Sequence, residues 1–272
     1  VATIGIENGY VIGKDLSLVE DHYNQGARYM TLAHNGHNDI CDSANPLARL
    51  GDGDEEHGGV SEFGYQVIDE MNRVGMMVDI SHVSIQCMMQ ATEYSKAPVI
   101  ASHSGVWELA KNQRNLNDDQ LKAVGAANGV VQIVGLDGFV KHYPEKSAEV
   151  AALRAAAAAA AGDAGWDRSK HAGSAEYMAG MEAIDVKYPP ANVKDFVDHI
   201  EHAVNLIGVD HVGIVSDFDG GGGLEGWNSA AETMNVTAEL VARGYSEEDI
   251  GKIWSGNTLA LWRRVDAVAA GL

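Results

Sequence analysis

Cysteine is almost missing: Cys41 and Cys87 are the only two in 272 residues. Two thiols cannot build a disulfide framework, and their wide separation matches no thiolate metal motif. Basic side chains are scarce as well, 19 Lys and Arg against 39 Asp and Glu for a formal charge of -20. A chain so acidic lacks the cationic clusters on which affinity for nucleic acid or anionic lipid depends. No run of eighteen apolar residues occurs, so no membrane span is expected, and the N-terminus shows no basic segment followed by an apolar one, so no signal peptide is visible. The compartment stays open between periplasmic or secreted and cytoplasmic.

What is present is a 46% hydrophobic content over a length that one α/β barrel can use, so residues 1–272 are expected to form a single domain. Short apolar runs at Ala2–Ile6, Tyr29–Ala33, Met76–Ile80, Val99–Ser102, Val130–Val134 and His211–Val215 alternate with amphipathic stretches, the pattern of repeated βα units around a buried parallel sheet. The opening residues, Val1 to Ile6, read as a strand already inside a fold. Ser61 caps an expected helix with Phe63, Val67, Met71 and Val74 on one face, ended by Gly75; Asn192 opens another with Phe196, Ile200 and Val204 inward, stopped by Gly208. Ser246 and Asp249 make a capping box, and a last helix runs from Thr258 towards Val268. Two segments break the repeat. Residues 35–60 read as a Gly-, Asp- and Asn-rich loop over one face, and residues 144–191 as an insertion whose alanine run Ala155–Ala161 is helical filler or a lid element.

The residue at or just beyond nearly every apolar run is a ligand type or an acid: Glu7, His34, His82, His103 and Asp217. Only the fifth run contributes none. In a barrel the C-terminal ends of the strands meet at one mouth, so these residues converge. Imidazole and carboxylate are usual zinc ligands, and a hydrolytic site needs about three protein ligands with a position left for water. His82 and His103 fit one such metal, and Glu7 could bridge to a second ion.

The stretches Ile4-Gly5-Ile6-Glu7-Asn8-Gly9, Arg28-Tyr29-Met30-Thr31-Leu32-Ala33-His34-Asn35, Val78-Asp79-Ile80-Ser81-His82-Val83-Ser84, Val99-Ile100-Ala101-Ser102-His103-Ser104, Arg114-Asn115-Leu116 and Gly213-Ile214-Val215-Ser216-Asp217-Phe218-Asp219-Gly220 together resemble the renal (membrane) dipeptidase family of zinc metallopeptidases. The resemblance spans nearly the whole chain. It implies a TIM-type (β/α)8 barrel and hydrolysis of short peptides, including ones with a C-terminal D-residue, by a metal-activated hydroxide at two zinc ions per active site. It implies further that Glu7 bridges the zinc ions, that His82 and His103 complete one of them, and that His34 binds and polarises the scissile carbonyl. Asp217 would move protons between water and the leaving amine, and Arg114 would pair with the substrate's terminal carboxylate, whose two oxygens match a guanidinium fork. The partner implied is a small peptide substrate, and a homodimer is common among relatives.

One departure matters. Members of that family begin with a strand ending in His-x-Asp, which supplies the other zinc; no such strand is seen here, so the six visible strands would be the third to eighth, with two βα units of roughly one hundred residues missing. His37 and Asp39 have the His-x-Asp spacing, but they stand in a loop and the resemblance assigns His34 alone. Two other readings remain beside the peptidase: a non-catalytic barrel relative acting as a binding module, and another metal-dependent amidohydrolase such as a lactonase or deaminase. The last is weakened by Arg114 and by the lack of a strand-end Lys. Among the rest, Asp42 and His57 read as loop residues, Asp79 as a buried cap or an orienter of a ligand, and Gly220–Gly223 as a flexible turn at the mouth. His199, His202 and His211 read as solvent or packing residues on the barrel's outside, as do His22, His142 and His171 in loops or helices; Asn257 reads as the cap of the last helix, and Tyr65 or Trp227 as possible pocket lining.

Overall fold

The alternation of apolar and amphipathic segments folds as strand and helix units in sequence order. The computed structural model describes residues 2–272. Its first half runs β1 (Ile4–Glu7), α1 (Ser17–Asn24), β2 (Ala27–Thr31), α2 (Glu62–Val74), β3 (Met77–Asp79), α3 (Ile85–Tyr94), β4 (Ile100–Ser104) and α4 (Asp118–Ala126). The second half runs β5 (Val130–Val134), α5 (Asp137–Val140), α6 (Pro144–Ala160), α7 (Arg168–His171), α8 (Ala175–Lys187), α9 (Val193–Ile207), β6 (Val212–Val215), α10 (Thr233–Ala242), α11 (Glu247–Gly251) and α12 (Asn257–Ala269).

The strands form one parallel sheet in the order β1-β2-β3-β4-β5-β6. This is an α/β fold with a six-stranded parallel sheet; among the described residues β1 and β6 are edges, each with a single strand neighbour. Register aligns Glu7 with Thr31, Thr31 with Asp79 and Asp79 with Ile100, so the ends of β1, β2 and β3 come out level. Between β4 and β5 the register slips: Ala101 faces Val131 while Ser104 faces Ile133. Three residues on β4 thus span two on β5, and the extra one falls at Ser102-His103, where a bulge re-aims the side chains.

Alternation along the strands separates two cores. Val78, Ala101 and Val131 join the large cluster that α2, α3, α4 and α9 cover with Val67, Met71, Met88, Leu121, Phe196 and Ile200, while Met77, Ile100 and Val130 face Leu261 and Val265 of α12. That last helix lies under the strand beginnings: Arg264 donates to the Asn128 carbonyl before β5, and Asp266 and Ala269 pack against Gly75 before β3. The bottom of the sheet is thereby plugged and the opposite end left open for loops.

Boundaries follow their chemistry. Ser61 Oγ accepts from Gly64 N at 2.9 Å, and Gly75 ends α2 in the left-handed region at φ 85°, where a side chain would be strained. Asn192 with Asp195 and Ser246 with Asp249 close reciprocal capping boxes. Asn257 departs from expectation. It does not cap the last helix, which is preceded by a π turn over Lys252–Gly256; its buried amide instead donates to the carbonyls of Val209 and Val212 at 2.6 and 2.8 Å, pinning the start of β6. Within residues 144–191, α6 and α8 pack together so closely that a Cβ on Gly180 would stand 2.6 Å from Leu153.

Candidate metal centre

Every strand except β5 delivers one side chain to the open end of the sheet. Glu7 is the last residue of β1, His34 lies three residues beyond β2, His82 three beyond β3, His103 in the bulge of β4, and Asp217 two beyond β6. The backbone is forced there: of the four non-glycine residues with positive φ among the described residues, Asn8 (107°) follows Glu7, and His82 (67°) and Asp217 (55°) are themselves site residues. Conformations that disfavour ordinary side chains persist only where the surroundings impose them.

Three ligand atoms from three strands converge. Glu7 Oε1 lies 2.9 Å from His82 Nε2 and 3.2 Å from His103 Nε2, and the two nitrogens are 2.8 Å apart. Atoms bound tetrahedrally at 2.0–2.1 Å stand about 3.3 Å from each other, so the triangle fits three ligands of one small divalent ion with slight contraction. His34 is the fourth neighbour: its Nε2 is 3.7 Å from Glu7 Oε1, its ring centroid is 4.0 Å from that of His82, and the ligand atoms of Glu7, His34 and His82 all lie within 4.8 Å of one another.

The electrostatics favour the metal-binding protonation states. The imidazoles beside it, His103 and then His82, hold the Glu7 carboxyl well below the usual carboxylate range. Burial pushes His82 down to about 4 and lowers His34 as well, so at neutral pH these imidazoles are uncharged and keep a lone pair free. Asp217 is raised, chiefly by burial. Arg114, in the β4–α4 loop, is lowered to about 10 by burial and stays charged at neutral pH. Its Nε and Nη2 are buried without a hydrogen-bond partner, and its guanidinium lies 5.2 Å from the Phe139 ring centroid. Donors so placed are suited to an incoming carboxylate.

Behind the triangle lies a hydroxyl network. The buried Asp79 carboxylate accepts from Ser81 N (3.0 Å) and Ser102 N (2.9 Å) on one oxygen, and from Thr31 Oγ1 (2.5 Å) and Ser102 Oγ (2.6 Å) on the other. Because Ser102 spends its hydrogen on Asp79, it accepts from His103 Nδ1 at 2.8 Å, which leaves His103 Nε2 as the bare nitrogen facing Glu7. His82 Nδ1 is buried with no partner, so nothing comparable fixes its tautomer. Both readings of Asp79 describe its contacts: one oxygen caps the backbone N–H groups of Ser81 and Ser102, and the other acts through Ser102 on His103. Sequence reasoning missed Thr31, Ser81 and Ser102. The repeated Ser-His dipeptides, Ser81-His82 and Ser102-His103, were the available signal.

Loop 35–60 locks the ends of β2 and β3 together. Ser43 Oγ donates to the His34 carbonyl, and Ala44 N donates to the His82 carbonyl at 2.7 Å. Asp42 ties the loop from within by accepting from the backbone N–H groups of Glu56, His57 and Gly59. His37 and Asp39 form no metal pair: His37 Nδ1 accepts from Ser43 N and Nε2 meets the Gly53 carbonyl, both at 3.0 Å, while Asp39 pairs with Lys14 at the surface. The glycine run after Asp217 is a pinned turn rather than a loose one. Gly220 N and Gly222 N donate to the Asp217 carbonyl at 3.0 and 2.6 Å, and a Cβ on Gly220 would fall 2.2 Å from Asp217 Oδ1. Trp227 is buried among Phe196, Phe218 and Trp254, and Tyr65 packs edge-on against Tyr94. His199 is not on the outside but 1% exposed. A second group of ligand types, Glu108, Asp118 and His202, sits on the outer surface with His202 already bonded to Asp118 at 2.7 Å.

A parallel sheet whose strand ends gather two histidines and a carboxylate at ligand distances, with a guanidinium beside them, is an α/β scaffold with a candidate metal centre at its open end. The comparisons are specific. The family model described as membrane dipeptidase (peptidase family M19) matches residues 1–272, and the chain belongs to that family. Dipeptidase tcpJ of Claviceps purpurea is 32% identical over 98% of this chain and 51% of its own length; dipeptidase aclJ of Aspergillus oryzae is 31% identical over 99% and 52%. The chain thus spans about half the length of the curated relatives it matches. The crystal structure of the probable dipeptidase PvdM from Pseudomonas aeruginosa superposes with a TM-score of 0.82 at 34% identity, covering 97% of this chain and 69% of that one. A metallo peptidase from Rhodobacter sphaeroides, solved with a phosphinate mimic of the dipeptide L-Ala-D-Ala, shares the fold at TM-score 0.71 and 22% identity, covering 97% and 63%.

Proposed function

We propose that this chain carries the catalytic centre of a zinc-dependent dipeptidase that cleaves short peptides bearing a free C-terminal carboxylate, D-residues included. The observation that carries the reading is the Glu7–His82–His103 triangle, three ligand atoms from separate strands within 3.2 Å of one another. Glu7, His82 and His103 would hold one zinc ion; Glu7 meets the imidazoles through Oε1 alone, which leaves Oε2 for a second. When bound, the metal supplies Lewis-acid activation of water and of the peptide carbonyl.

The protein's own groups do the rest. His34, neutral and half-exposed beside Glu7, donates a hydrogen bond to the scissile carbonyl oxygen. Asp217, whose burial raises its proton affinity, takes a proton from water and returns one to the departing amine, the service a carboxyl performs best when its pKa approaches the working pH. Arg114 offers its unpartnered Nε and Nη2 to the terminal carboxylate, which fixes the register of the substrate and limits its length. In this reading β1 to β6 are the third to eighth strands of a (β/α)8 barrel, supported by their parallel sequential order and by the two edges.

The test is turnover of a dipeptide and of the same dipeptide with its C-terminus amidated, with zinc content measured alongside. The expected result is zinc-dependent hydrolysis, preference for the free acid, and loss of both zinc and turnover in His82→Ala and His103→Ala. Zinc bound without turnover would favour a binding module, and equal rates on acid and amide would remove the role given to Arg114.

A further inference from the structure

A buried histidine on an otherwise apolar helix face needs both ring nitrogens satisfied, since each lost hydrogen bond in the interior costs about 1–3 kcal/mol. His199 sits on the inward face of α9 with Phe196, Val197, Ile200 and Ala203. Its partners are both backbone groups. Nδ1 accepts from Val106 N at 3.0 Å; with Nδ1 an acceptor, Nε2 carries the hydrogen and donates to the Val140 carbonyl at 3.0 Å. Burial pushes the imidazole down to about 4, which keeps it neutral at neutral pH.

The two partners are the two walls around Arg114. Val106 opens the β4–α4 loop, which closes on itself through Trp107 N to the Leu116 carbonyl at 2.9 Å and Leu116 N to the Gly105 carbonyl at 3.0 Å, with Arg114 inside. Val140 follows Phe139, whose ring lies against the Arg114 guanidinium and whose carbonyl accepts from Asn115 Nδ2 at 2.8 Å. One imidazole therefore sets the separation between the loop that bears the guanidinium and the segment on which it rests.

We propose that His199 is a positioning residue for Arg114, acting through Val106 and Val140 to hold the guanidinium where a substrate carboxylate must dock. It touches no substrate. The consequence for selectivity rests on the dipeptidase reading above; the consequence for the loop does not. An interaction with the terminal carboxylate present in both ground state and transition state shows as KM rather than kcat.

The test compares the wild type with His199→Leu, which removes both bonds, and with His199→Gln, which restores an acceptor and a donor. For His199→Leu the proposal expects KM for a dipeptide to rise about tenfold with kcat within twofold, and the preference for free acid over amide to fall by the same factor; His199→Gln should recover part of each. A merely structural loss would lower acid and amide hydrolysis in proportion, leaving the preference unchanged, and that result overturns the proposal. Amide hydrogen exchange is read on the same proteins. Faster exchange across residues 105–116 in His199→Leu supports the positioning role even if the wild type hydrolyses no dipeptide, in which case the functional reading alone has failed. Exchange identical to wild type overturns it.

Discussion

Asp79→Asn isolates the network behind the metal site with almost no change of shape. The two backbone donors, Ser81 N and Ser102 N, hold one oxygen at 3.0 and 2.9 Å, so the new amide nitrogen must replace the oxygen that faces Thr31 Oγ1 and Ser102 Oγ. Both hydroxyls must then turn their hydrogens away. Exchanging two charge-assisted bonds for neutral ones loses about 1 kcal/mol each, about 2 kcal/mol of stability in all. The effect on the metal is more specific. Ser102, now accepting from Asn at 79, is free to donate to His103 Nδ1, and His103 shifts to the tautomer whose hydrogen is on Nε2, pointing at Glu7 and occluding the ligand lone pair. Loss of such an orienting partner weakens metal binding by about 10–100-fold, or about 1.4–2.8 kcal/mol. Zinc competition against a chelator gives the affinity, and long-range imidazole 15N–1H correlation gives the tautomer. Wild-type zinc affinity together with an unshifted His103 tautomer in Asp79→Asn would refute this account of the network.

Arg114→Leu removes a buried guanidinium with two unpartnered nitrogens, so it is expected to raise the unfolding free energy of the metal-free protein by about 1–2 kcal/mol while abolishing the preference for a free carboxylate; chemical denaturation and the acid-to-amide rate ratio check both. Gly222→Ala places a Cβ 1.8 Å from the Ser216 carbonyl; overpacking of that kind costs about 1–3 kcal/mol and displaces Asp217, so kcat should fall further than Tm alone accounts for. His199 supplies a pH dependence of definite sign. Its folded pKa of about 4 lies below the ordinary value of 6.5, so the unfolded chain binds the extra proton, and stability present above pH 6.5 is lost as pH falls towards 4, by about 1.4 kcal/mol per unit and about 3 kcal/mol in total. Denaturation midpoints at pH 7 and pH 4.5 should therefore converge between wild type and His199→Gln at the lower pH.

Hydrophobic runs made the strands legible, but they report burial rather than pairing. The fifth run coincides with β5, whereas the second was read as Tyr29–Ala33 and the strand is Ala27–Thr31: Leu32 and Ala33 are buried after the ladder has ended, and Ala27 pairs with Ile4. The ligand set was legible because parallel strands collect their C-terminal residues at one end, so a recurrence along the sequence becomes proximity in space. The hydroxyls of Thr31, Ser81 and Ser102 were not, since what defines them is a carboxylate up to 48 residues away. His199 was misplaced because an amphipathic pattern tells which face is buried but not which polar group on that face finds backbone partners, and Asn257 because an Asn at a helix start is a cap only if no better acceptors lie within reach.

In the proposed site Glu7, His82 and His103 hold one divalent ion in common. Zinc K-edge X-ray absorption on the protein given one equivalent of zinc reports that ion's ligands. A first shell of nitrogen and oxygen at about 2.0–2.1 Å, with the multiple-scattering signature of two imidazoles that disappears in the His82→Ala, His103→Ala double variant, is the result expected. A shell without imidazole, or one containing sulfur at about 2.3 Å, would contradict it.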